Sequence, residues 1–114
     1  MEEMWETCVF WPEYQVSNLG NVVDTKTGKI MKQYPQKNGY VFVFLNRGHG
    51  NTWVPIHRLV AIAFLGIDGY IKGLYVDHIN TNRADNRAEN LRWVTPKENS
   101  NNPITLQNRR NKHD

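Results

Sequence analysis

A chain of 114 residues with 39% hydrophobic side chains, among them four Trp, five Tyr and four Phe, has enough apolar volume for one modest core. Its single cysteine, Cys8, excludes an internal disulfide framework and a multi-cysteine zinc site, so any metal must be held by oxygen and nitrogen ligands. No apolar run approaches the roughly 20 residues of a membrane span, and the acidic start MEEMWE is unlike the basic head of a signal peptide, so a soluble, intracellular protein without a membrane partner is expected.

The net charge of +3 is unevenly spread. Glu2, Glu3, Glu6, Glu13 and Asp24 make the first 24 residues acidic with no Lys or Arg, whereas Lys26, Lys29, Lys32, Lys37, Arg47 and Arg58 fall between 25 and 66 with no acid. A basic middle suits a polyanion, although the same residues serve equally to solvate strand faces and turns.

From Trp11 to Ile56 the short β runs EYQV, NVVD, KIMKQY, YVFVFLN and TWVPI alternate with the turn sequences SNLG, TKTG, QKNG and RGHGN, which predicts an antiparallel meander. In YVFVFL, Tyr40, Phe42 and Phe44 share one face and Val41, Val43 and Leu45 the other, as in a central strand covered on both sides. The period then changes. In HRLVAIAFLG, Leu59, Val60, Ala63 and Phe64 lie on one helical face and Gly66 ends the run, which predicts a short helix packed on the sheet. His57, at its start, is assigned to backbone groups left open at the helix N-terminus and not to a metal. Residues 1–66 form a first module on this reading, and the glycine-spotted loop GIDGYIKG leads to the second.

Residues 74–102 have a different texture: LYVDHI, the polar stretch NTNRADNRAEN, LRWV and then TPKENSNN. Thr95 reads as an N-cap, Pro96 as the first helical residue and Glu98 as the partner that completes a capping box. Two strands joined by a polar loop and followed by a helix make a ββα unit, too small to be stable by apolar burial alone. The predicted class is therefore α+β: an N-terminal antiparallel meander with a short helix, then a ββα unit. The tail 103–114 offers little apolar surface beyond Ile104 and Leu106 and is expected to be disordered or loosely docked.

The ββα stretch is dense in Asp and Asn, which form local side-chain to backbone bonds at turns. That accounts for Asn80, Asn82, Asp85 and Asn86. It does not account for the adjacent Asp77 and His78 at a strand end, nor for Asn99 in the first turns of a capped helix. If strand and helix face each other, the Asp77 carboxylate and the Asn99 carbonyl oxygen form an incomplete set of hard ligands for Mg²⁺ or a similar ion, which usually keeps waters and binds a substrate phosphate. His78 beside such an ion suits the removal of a proton from an attacking water.

The stretch VDHINTNRADNRAENLRWVTPKENSNN resembles the HNH endonuclease family, in the H-N-N variety of phage and intron homing endonucleases, through Asp77, His78, Asn90 and Asn99. The resemblance implies a ββα-metal fold and hydrolysis of DNA phosphodiester bonds to 5′-phosphate and 3′-hydroxyl ends. It makes His78 the general base, Asp77 and Asn99 the holders of one divalent ion (Mg²⁺, or alternatively Mn²⁺), and Asn90 the residue that orders the loop positioning the histidine. It also implies DNA as partner, in a bacterial or phage-infected cytoplasm, acting as monomer or homodimer. WPEYQVSNLGNV and HRLVAIAFLG likewise resemble the small β module that precedes such domains and its closing helix, with a departure at Asn21, where Arg is common. Related enzymes usually continue into a helix-turn-helix segment, so weaker recognition of a long site is expected here. Arg83, Arg87, Arg92 and Lys97 are candidates for phosphate contacts beside the site, with pairing of Arg87 or Arg92 to Asp85 or Glu89 as the alternative. Lys37, Arg47 and His49, in or beside hairpin turns, are further DNA-facing candidates. A non-cutting DNA-binding protein on the same fold is the rival reading.

Overall fold

In the first sheet the alternation of Tyr14, Val16 and Val22 buries one face, and β1 (Trp5–Cys8), β2 (Trp11–Ser17) and β3 (Val22–Asp24) pair antiparallel in that order. The computed structural model describes residues 2–46 and 51–101, the last three by backbone alone; Arg47, His49 and the tail 103–114 lie outside the described residues. A second antiparallel sheet follows, made of β4 (Tyr34–Pro35), β5 (Val41–Leu45) and β6 (Thr52–Pro55). β5 is its central strand, with Val41, Val43 and Leu45 buried and Phe42 and Phe44 half-buried on the opposite face.

Helix α1 (Ile56–Val60) runs on as a π-type turn, Ala61–Leu65, and a one-turn helix α2 (Asp68–Ile71) leads to the second half. There β7 (Tyr75–His78) and β8 (Leu91–Val94) form an antiparallel pair with Asp77 opposite Arg92 and His78 opposite Leu91, and α3 (Pro96–Asn101) packs on both strands. The capping box is formed: the Thr95 N–H donates to Glu98 Oε1 at 2.9 Å and the Glu98 N–H donates to Thr95 Oγ1 at 3.0 Å. These bonds hold the Glu98 carboxyl below the usual range.

One apolar cluster serves both halves. Tyr14, Val16 and Val22 of the first sheet, Val43, Leu45 and Val54 of the second, Ile56, Leu59 and Val60 of α1 and Leu91 of β8 all belong to it. The fully buried Tyr14 hydroxyl donates to Asn46 Oδ1 at 2.9 Å and accepts from the Asn46 N–H at 3.1 Å, so the polar end of a core residue ties β2 to the end of β5.

The structure departs from the sequence expectation in four places. The meander is divided into two three-stranded sheets, because KIMKQY offers no apolar face to pair along: Ile30, 55% exposed, makes only an isolated bridge to Val23, and the chain re-enters a sheet at Tyr34. Strand β1 lies outside the predicted β runs, which begin at Trp11, because WETC buries only Cys8 fully and its polar centre resembles a leader to the first strand. In GIDGYIKG the loop contains α2, where Gly69 lies under the Trp93 indole, whose Nε1 donates to the Gly66 carbonyl at 3.1 Å. Finally, His57 caps nothing. Pro55 occupies the cap position with no side-chain bond, and the His57 ring turns inward, its Nδ1 buried without a partner among the described residues.

Candidate active site

β7 ends on Asp77 and His78, which are 6% and 5% exposed. The strand stops there because the chain turns over at Ile79–Asn80: the Thr81 N–H bonds back to the His78 carbonyl at 2.8 Å, with Thr81 in the left-handed region at φ 64°. The following loop is held by its own short polar side chains. Asn80 Oδ1 accepts from the Asn82 N–H at 2.9 Å, Asn82 Oδ1 from the Ala84 N–H at 3.0 Å, and Asn80 Nδ2 donates to Asp85 Oδ2 at 2.9 Å.

Asn90 closes this loop from the other end. Its Oδ1 accepts from the Asn80 N–H at 3.1 Å, and its Nδ2 donates to Asn80 Oδ1 at 3.0 Å and to the Asp85 carbonyl at 2.9 Å. The Asn90 carbonyl also accepts from the Ile79 N–H at 2.8 Å, so one buried residue pairs backbone on both sides of the turn that follows His78.

His78 itself is held by Asn86, with 2.8 Å between His78 Nε2 and Asn86 Oδ1. An amide oxygen only accepts, so Nε2 carries the proton and the lone pair of the neutral ring is on Nδ1. Burial lowers the His78 pKa, opposed by the Asn86 bond and the charges of Asp77 and Asp85, and Arg83 lowers it further. Asn86, read from sequence as a turn residue, is thus a site residue that sequence reasoning missed; nothing local distinguishes it from Asn80 and Asn82.

The Asp77 carboxylate accepts from Arg92 Nε at 2.9 Å across the strand pair. Arg92 is 52% exposed, so its guanidinium neutralises a buried carboxylate while facing solvent. Arg87 is engaged by Asp85 through Nε and Nη2, each at 2.8 Å, and by Glu89 at 2.6 Å, and the Arg87 bonds hold the Asp85 carboxyl down at about 2. Arg83 is drawn to the first half: its Nη1 donates to the Asn38 carbonyl at 2.7 Å and its guanidinium lies 4.6 Å from the Tyr40 ring centre. Lys37, in the turn before β5, and Lys97, in the first turn of α3, are exposed. Asn99 stands in α3, which packs on β7, but its side chain lies outside the described residues.

Among the described residues no three His, Cys, Asp or Glu side chains converge as a cluster that could hold a metal ion. Hard oxygen donors are nonetheless the available chemistry, in the buried Asp77 carboxylate at the strand on which the helix of Asn99 packs. This donor type fits an ion of the Mg²⁺ kind that relies on few protein ligands.

Residues 54–101 match the family described as HNH endonuclease, and residues 3–46 match the NUMOD4 motif. DNA endonuclease I-HmuI of Bacillus phage SP01 is 45% identical over 92 residues, covering 81% of this chain and 52% of that protein. H-N-H endonuclease F-TflII of Escherichia phage T5 is 32% identical over 85 residues, covering 75% and 44%. The chain thus spans about half the length of these relatives. A solved structure of DNA binding and cleavage by the HNH homing endonuclease I-HmuI superposes with a TM-score of 0.76 at 39% identity, over 100% of this chain and 62% of that one.

Proposed function

Because the chain belongs to the HNH endonuclease family, we propose that it hydrolyses DNA phosphodiester bonds, with His78 as the general base. The observation that carries this reading is the buried His78 at the end of β7, with Nε2 bonded to Asn86 and Asp77 beside it. His78 Nδ1 takes a proton from water as the water oxygen attacks phosphorus; the bond from phosphorus to the 3′-oxygen breaks, and that oxygen gains a proton from solvent. Asn86 keeps the accepting nitrogen on the correct side of the ring, and Asn90 orders the loop that carries Asn86.

Asp77 and Asn99 are the residues that would hold a divalent ion, Mg²⁺ or Mn²⁺. When bound, such an ion supplies polarisation of the phosphoryl group and charge stabilisation on the leaving oxygen. Lys97 on α3, the helix packed on β7, supplies positive charge for a neighbouring phosphate, and Arg92 on β8, whose Nε is bonded to Asp77, offers its remaining N–H groups. Lys37, exposed in the turn before β5, adds positive charge from the first module, and Arg47, a further candidate for a phosphate contact, lies outside the described residues. Arg83 and Arg87 act first as ties within the fold and offer only their remaining N–H groups to DNA.

The test is conversion of supercoiled plasmid to nicked or linear forms with Mg²⁺, Mn²⁺ or chelator. His78→Ala should keep the fold and DNA affinity while lowering the rate by about 10² or more. A native chain that binds plasmid but leaves it intact with every metal would instead be a DNA-binding protein on this fold.

A further inference from the structure

Two aromatic rings, one from α1 and one from the residue just before β5, meet the ring of His78. The His57 ring, from α1, lies 5.3 Å from it at 71°, an edge-to-face contact; the Tyr40 ring, preceding β5, lies 6.2 Å from His78 and 5.1 Å from His57. Arg83 covers Tyr40 and is anchored on the Asn38 carbonyl, which makes a continuous column from the turn of the second sheet to the site.

A hydrogen bond at one nitrogen leaves an imidazole free to tilt, because such bonds tolerate a wide range of angles, and the terminal torsion of histidine is broad. Asn86 therefore fixes which nitrogen is basic without fixing where its lone pair aims. A flat ring packed edge-to-face removes that remaining freedom in a way that a flexible aliphatic side chain does not. His57 also carries a buried Nδ1 with no partner among the described residues, a feature unfavourable to stability that plain space-filling by leucine would avoid.

We infer that His57 is a positioning residue: with Tyr40 behind it, its ring sets the plane of His78 and so the direction in which His78 Nδ1 meets water. The inference rests on the assignment of His78 as base, and its test keeps the two apart. His57→Leu keeps most of the volume and removes the ring; His57→Phe keeps a ring and removes the nitrogens. His57→Leu should nick supercoiled plasmid in Mg²⁺ about tenfold more slowly or worse under saturating enzyme, with unchanged plasmid affinity, and His57→Phe should recover to within about threefold of native.

The second readout is independent of cleavage: NMR cross-relaxation from the His78 ring protons to fixed neighbours in the metal-free protein. The native ring should give the pattern of one fixed ring plane, and His57→Leu should average or broaden it, which His57→Phe restores. Native-rate cleavage by His57→Leu, equal loss in both variants, or an unaltered His78 spectrum in His57→Leu would overturn the inference. If the native chain cuts nothing, the nuclease reading fails while the His78 spectra still decide the positioning role.

Discussion

At Asn86 a single atom decides which nitrogen of His78 is basic, since the side-chain oxygen 2.8 Å from Nε2 can only accept. Asn86→Ala removes that acceptor and leaves a buried N–H unpaired; cleavage of supercoiled plasmid should fall by about ten- to a hundredfold, as expected for a misplaced reacting group. Asn86→Asp retains an acceptor oxygen and should lose less, so equal losses in the two variants would count against the tautomer argument. The neighbouring His57 makes a prediction about stability. Burial, reinforced by His78 on β7, Arg58 on its own helix and Arg83 on the loop, with Tyr40 packed alongside, pushes its pKa down to about 3. In the unfolded chain the ring titrates near the ordinary value of about 6.5. Between those values the unfolded state holds more protons than the folded one, so stability rises with pH across the window and is lost as pH falls from about 6.5 toward 3. The slope is at most about 1.4 kcal/mol per pH unit from this group. Urea unfolding at pH 7, 6, 5 and 4 should show it, and His57→Phe should flatten the curve by that amount.

Among the elements, α2 is the one whose placement depends on a missing side chain. A Cβ at Gly69 would collide with the Trp93 indole, and the indole cannot retreat without giving up its bond to the Gly66 carbonyl. Gly69→Ala should therefore cost about 1–3 kcal/mol as an overpacking change, read from thermal or urea unfolding. A native-like midpoint would show that α2 shifts at no cost. The same element shows where sequence reading stops. The capping box of α3 was legible because Thr95, Pro96 and Glu98 carry their signal within four residues, and Asp77 with His78 was legible because adjacent polar residues at a strand end are unusual. The α2 turn was hidden in a stretch whose glycines read as loop, and its use of Gly69 depends on Trp93, which no local pattern reveals. β1 was hidden because its pairing with β2, not its own alternation, makes it a strand. The role of Asn86 was illegible for a related reason: it forms only when the loop closes on His78 and on the close approach of Gly20, where a Cβ would stand 3.3 Å from Asn86 Cβ.

For the whole molecule, the two matched segments, 3–46 and 54–101, are physically one unit. The ββα part owns little buried apolar surface, chiefly Leu91 and Val94, and Leu91 is shared with the core of the two sheets. Its loop is completed from outside: the Ala88 N–H donates to the Asn18 carbonyl at 2.7 Å, Gly20 packs on Asn86, and Arg83 is anchored on Asn38. Asn18 is itself buried and fixed, its Oδ1 accepting from the Met4 N–H at 2.7 Å and its Nδ2 donating to the Glu2 carbonyl at 3.1 Å. The acidic N-terminal segment thus braces, through Asn18, the loop behind the candidate base. A fragment of residues 54–114 lacks the anchors Asn18, Gly20, Asn38 and Tyr40 and most of the shared core. A unit of that size with so small a core is not expected to be stable alone. The fragment should give a poorly dispersed proton NMR spectrum, no cooperative thermal transition and no nicking of plasmid in Mg²⁺. A dispersed spectrum with a cooperative transition would mean that the ββα unit folds independently, and the braces from the first module would then be accessories to the site instead of parts of its fold.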